Sequence, residues 1–154
     1  ARAGGAPPRS ARRPAQAQRR PREKARLNAL LQQHQPQVVI IELGGNDALR
    51  GLPLNATQDN LRAMVEACQA RKAKVLLLGM QLPPNYGVQY GRDFAKVYAD
   101  IAQQRKTGWV PFMLRGIADA PDPVALFQPD RIHPLAQAHP QILANVWPEL
   151  KKLL

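Results

Sequence analysis

Apolar residues begin to recur at regular intervals from Leu27 onward. Leu27, Leu30, Leu31 and His34 fall at i, i+3, i+4 and i+7, which predicts a helix ending before Gln35-Pro36. Residues 38–43 read VVIIEL, a β-branched, nearly all-apolar run that predicts a strand buried on both faces. A glycine turn, Gly44-Gly45, follows it. Asn55 or Thr57 is placed to cap the next helix, whose stripe is Leu61, Met64, Val65 and Cys68. Val75 to Leu78 predicts a second buried strand, ended by Gly79. Beyond a Pro/Gly loop from Leu82 to Gly87, the spacing of Phe94, Val97, Tyr98 and Ile101 predicts a third helix. Trp109 to Phe112 predicts a third strand, and Leu143, Val146, Trp147 and Leu150 a last helix that Pro148 kinks or restarts.

The order is therefore α-β-α-β-α-β-α. Alternation of this kind, with all-apolar strands, predicts an α/β fold: a parallel sheet with helices on both faces, in three layers. In such sheets the reactive groups gather on loops at the carboxyl ends of the strands. The length of 154 residues suits one domain, and no repeat of 20–50 residues is visible. No apolar run approaches the 18 or so residues of a membrane-spanning helix.

Charge changes the picture only at one end. The formal net charge is +11, which taken whole suggests a polyanion binder. Residues 1–26 hold nine basic residues and one acid, however, while residues 27–154 hold 13 basic and 10 acidic. The first 26 residues contain no Leu, Ile, Val, Phe, Met, Tyr, Trp or Cys, so we read them as a disordered Arg/Pro/Ala-rich head with a folded domain at 27–154. Such a head either touches nucleic acid or anionic lipid through phosphate contacts or is a solvated tail. Its lack of aromatic residues removes base stacking and makes nucleic acid an unfavoured partner. The chain starts with Ala, and the head has no apolar middle of a secretory signal. Its Ala, Arg, Pro, Gly and Gln are what a frame-shifted reading of a G+C-rich gene would give.

Two loops carry polar groups capable of chemistry. Gly44-Gly45-Asn46-Asp47 follows the first strand. It is either a plain turn with Asx hydrogen bonds or a site where Asn46 aims an amide N–H at an oxygen gaining negative charge. Asp130 and His133 lie three apart before the last helix. Either Asp130 caps a turn beside a surface imidazole, or it holds one ring nitrogen and leaves the other free as a general base. His34 and His139 have no acid close in sequence, and no Cys/His cluster suggests a metal or cofactor. Cys68 lies on a buried stripe and reads as structural. A base with its orienter calls for a nucleophile. Ser10, in the head, is the only serine, and Thr57 and Thr107 do not sit on a strand-end glycine turn.

Taken together, VVIIELGGNDALRG (38–51), GMQLPPNYGVQY (79–90) and FQPDRIHP (127–134) resemble the SGNH, or GDSL-type, hydrolases. They are most similar to the bacterial arylesterase and acyl-CoA thioesterase/lysophospholipase branch. The resemblance covers residues 27–154 and implies a flavodoxin-like parallel sheet and a Ser-His-Asp hydrolase of esters and thioesters. It implies no cofactor or metal, and a periplasmic or secreted location. By that resemblance His133 matches the base, Asp130 the acid that orients it, Asn46 the oxyanion-hole asparagine, and Gly44 and Gly45 the glycines before it. The loop around Pro84, Asn85 and Tyr86 matches a mobile segment beside the acyl pocket. The family's first block, a Gly-Asp-Ser turn bearing the nucleophile, and its second, glycine-bearing block are not found in residues 1–37. The expectation is a sheet lacking its first strands, an inactive polypeptide, and an unpaired apolar edge along VVIIEL.

Overall fold

The computed structural model describes residues 19–154, with side chains from Lys24 on; Ser10 and most of the basic head lie outside the described residues. The first helix, α1, runs Arg19–His34. It starts ahead of Leu27, inside the stretch read as disordered. Arg, Glu, Lys and Ala are good helix formers, and Pro21 falls in the first turn, where a missing N–H is tolerated.

Strands β1 (Val38–Ile41), β2 (Lys74–Leu78) and β3 (Gly108–Val110) form, among the described residues, one parallel sheet in the order β1-β2-β3. Val38 stands opposite Lys74, and Leu76 opposite Gly108. Between β1 and β2 come α2 (Gly45–Leu49) and α3 (Leu54–Ala70); α4 (Val88–Arg105) joins β2 to β3, and α5 (His139–Lys151) ends the fold.

Successive strand residues point to opposite faces, so the sheet has two cores. On one face Ile41, Val75 and Leu77 pack with Leu27 and Leu31 of α1, Leu61, Met64, Val65 and Cys68 of α3, and Phe94, Val97, Tyr98 and Ile101 of α4. On the other Leu76, Leu78 and Val110 pack with Phe112, Met113, Leu114, Ile117 and Val146. Each fully buried large aliphatic stabilises the fold by about 1.5–3 kcal/mol. The three layers of an α/β sandwich are thus present. Gly79 lets the β2 and β3 ends close together: a Cβ there would lie 2.5 Å from the Pro111 carbonyl oxygen.

Several local expectations are corrected. The first strand ends at Ile41 and is not buried on both faces; Ile40 is 47% exposed because, among the described residues, β1 is the sheet edge and α5 covers β2 and β3 instead. Neither Asn55 nor Thr57 caps α3, which starts at Leu54 after Pro53. Asn55 Oδ1 accepts from the adjacent Ala56 N–H, and Thr57 is buried. The third strand begins at Gly108 and ends before Pro111, which has no N–H to give a ladder. On α5 the inward row is Ile142, Val146 and Leu150, whereas Leu143 and Trp147 are 60% and 46% exposed. The helix runs through Pro148.

Candidate active site

Both chemistry-bearing loops reach one cavity of about 200 Å3, lined by Glu42, Gly44, Gly45, Asn46, Met80, Met113, Leu114, Ile132 and His133 among others. Asn46 arrives from the carboxyl end of β1 and His133 from the segment before α5. Nothing in their sequence separation brings them together; the parallel sheet does.

The first loop turns at Gly44, whose φ is +103°, a conformation that strains any residue with a Cβ. The space is closed as well: a Cβ there would lie 2.7 Å from the Tyr98 hydroxyl oxygen and 3.1 Å from Thr57 Cγ2. The chain then winds into α2, with Ala48 N–H donating to the Gly44 carbonyl at 3.1 Å. Asn46 is exposed at the mouth of the cavity. Asp47 lines the cavity too, and the Thr57 hydroxyl donates to its Oδ2 at 3.4 Å.

The second loop is a small hairpin. Phe127 pairs with Pro134, the Gln128 N–H donates to the His133 carbonyl at 2.8 Å, and the Leu135 N–H donates to the Leu126 carbonyl at 2.8 Å. Arg131 takes φ +57° at its tip. That turn brings Asp130 Oδ2 to 2.6 Å from His133 Nδ1. Asp130 Oδ1 accepts the backbone N–H groups of Ile132 at 2.9 Å and His133 at 3.0 Å. The two readings of this pair therefore hold together, since one carboxylate both closes the turn and holds the ring. The His133 ring bond, with the two backbone donors behind it, lowers the Asp130 pKa from 3.8 to about 2. The carboxylate is ionised at neutral pH and accepts a hydrogen bond from Nδ1–H, which fixes the ring and leaves Nε2 as the nitrogen not held by Asp130.

Glu42 had no assigned role, although it is the one charged residue in an otherwise apolar run. It lines the cavity; partial loss of hydration raises its pKa, and the charge of His133 opposes that rise. The apolar wall of Met80, Met113, Leu114 and Ile132 also carries no periodic signal, because it is gathered from separate loops. Pro84, Asn85 and Tyr86 form a single 3-10 turn and do not line the cavity. His34 and His139 are exposed and outside it.

No serine occurs in residues 19–154. Cys68 is fully buried, and burial pushes its thiol pKa up, against a role as nucleophile. Thr57 borders the cavity, but it is buried and its hydroxyl is engaged with Asp47. Among the described residues no three His, Cys, Asp or Glu side chains are grouped to hold a metal ion, and no helix is long and apolar enough to cross a membrane.

The α/β sandwich thus carries an Asp-His pair and an asparagine turn on its loops. The family model described as the GDSL-like lipase/acylhydrolase family matches residues 3–140, and the chain belongs to that family. The match reaches into the stretch read as the head. Esterase TesA of Pseudomonas aeruginosa is 51% identical over 130 residues, covering 84% of this chain and 63% of the relative. Thioesterase 1/protease 1/lysophospholipase L1 of Escherichia coli K12 is 38% identical over 130 residues, covering 84% of this chain and 61% of the relative. A crystal structure of TesA superposes with a TM-score of 0.81 at 49% identity, covering 88% of this chain and 73% of that one. The chain thus spans less than two thirds of the length of these curated relatives.

Proposed function

We propose that the chain carries the base and oxyanion-binding parts of a hydrolase acting on carboxylic esters and thioesters. The observation that carries this reading is that His133, held by Asp130 from behind, lines the same cavity as the Gly44-Gly45-Asn46 turn, beside an apolar wall suited to an acyl chain. The esterase and thioesterase names of its relatives support it. In the reaction, His133 Nε2 takes the proton of an attacking hydroxyl and Asp130 stabilises the imidazolium. Asn46 donates its side-chain N–H to the carbonyl oxygen as it becomes an oxyanion, and the imidazolium returns the proton to the leaving group.

A serine hydroxyl would have to come from outside residues 19–154, since these hold no serine. A specific observation thereby favours a second reading, a relative that binds acyl groups without turning them over. Organophosphonate labelling separates the two: the 154-residue polypeptide should take up no stoichiometric label, and an adduct on Ser10 would overturn the second reading. Noncovalent butylphosphonate, a tetrahedral anion, tests the site itself. Its binding should shift the NMR signals of Asn46 and His133, and Asn46→Ala or His133→Ala should weaken it by about tenfold or more. If wild-type protein shows no shift at either residue, the hydrolase reading is wrong.

A further inference from the structure

We propose that Tyr98 and Tyr90 of α4 are positioning residues that clamp the two ends of the Leu43–Leu52 loop and so hold Asn46 at the cavity. The Tyr98 hydroxyl donates to the Leu43 carbonyl at 2.7 Å, one residue before the Gly44 turn. The Tyr90 hydroxyl donates to the Leu52 carbonyl at 2.9 Å, just past α2. Tyr90, Phe94 and Tyr98 form an i, i+4, i+8 row along α4, so the backbone positions of the two tyrosines stand about 12 Å apart along its axis. Phe94 stiffens the row by meeting Tyr98 edge to face, with centroids 5.3 Å apart and planes at 86°.

The hold at the Gly44 end is mutual. Tyr98 is 1% exposed, and its hydroxyl occupies the space that a Cβ on Gly44 would need. Leu43 lies beyond the last residue of β1, where the ladder no longer satisfies its carbonyl, and a buried carbonyl without a donor is destabilising. The phenol supplies that donor from the rigid helix instead of from the loop. Burial, with the negative charge of Asp47 nearby, pushes both phenol pKa values up, so each keeps its proton and remains a donor. A merely space-filling aromatic would need neither hydroxyl.

The proposal deepens the hydrolase reading in one respect, the role of Asn46, and rests on it there. Its test uses Tyr98→Phe and Tyr90→Phe in the 154-residue chain, with two readouts. In amide hydrogen exchange, Tyr98→Phe should speed exchange at Ala48 about tenfold while Leu76 and Leu77 of β2 stay within about twofold. Equal acceleration at both places would mean general destabilisation and would overturn the clamp. In butylphosphonate binding, Tyr98→Phe should weaken affinity about tenfold, and Asn46→Ala should remove that difference in a double-mutant cycle. Full additivity would show that Tyr98 does not act through Asn46. If wild-type protein fails to bind the phosphonate, the hydrolase reading falls while the exchange data still decide the clamp. Should Tyr98→Phe not fold, Tyr90→Phe gives the same comparison at Gly51 and Leu52, whose amides donate to the Ala48 and Asp47 carbonyls.

Discussion

Asp130 is the residue whose chemistry the geometry specifies most closely. Three donors, the His133 ring and two backbone N–H groups, favour its charged form. A carboxylate with a depressed pKa contributes stability that is fully present above its unfolded value and is lost as pH falls through the folded one. The 128–133 turn should therefore hold above about pH 4 and loosen as pH falls through about 2. Carboxyl-carbon NMR of Asp130 should show a midpoint near 2. The midpoint should rise in His133→Ala but stay below 3.8, because the backbone donors remain. An unchanged midpoint in that variant would remove His133 as the leading cause. At Gly44, alanine meets both an unfavourable φ and the Tyr98 hydroxyl. Gly44→Ala should lower stability by about 1–3 kcal/mol in urea unfolding, with the loss reduced when Tyr98 is also made smaller.

For the elements, the sequence pattern located α3 and α4 by their buried stripes but misjudged the phase of α5. Leu143, Val146, Trp147 and Leu150 make a helical stripe on paper. Yet the row Ile142, Val146, Leu150 turns inward, because the position of α5 over β2 and β3 selects the face. Helical spacing says that a side is apolar, not which of two adjacent apolar rows meets the sheet. Val146→Asp should destabilise the fold by about 3–5 kcal/mol as an unpaired buried charge. Trp147→Asp, on the exposed row, should stay within about 0.5 kcal/mol. Similar losses for the two, measured by denaturant midpoint, would reverse this assignment.

At the scale of the whole molecule, the sheet carries an exposed margin. Among the described residues no strand pairs with the outer edge of β1, and Ile40 is exposed beside it. Free strand edges with apolar neighbours promote self-association. The 154-residue polypeptide should therefore sediment as a concentration-dependent mixture and melt without a sharp two-state transition, while Ile40→Lys should shift it towards monomer. A sharp melt of a monomeric wild-type chain would contradict this.

The sequence by itself determined the alternation of helices and apolar strands and the two polar loops, and it offered the Asp130-His133 pair as one of two local readings. All of these depend on residues close along the chain, where spacing and turn chemistry act directly. The Asp-His pair was legible because an i, i+3 turn is a local event. Tertiary structure alone decided that Asn46 and His133 border one cavity, that Glu42 faces it, and that Leu143 and Trp147 are exposed. It likewise made Tyr98 more than a core aromatic by carrying its hydroxyl to Leu43. Those outcomes depend on where the parallel sheet delivers each strand end and where each helix lies across it, and no local periodicity encodes either.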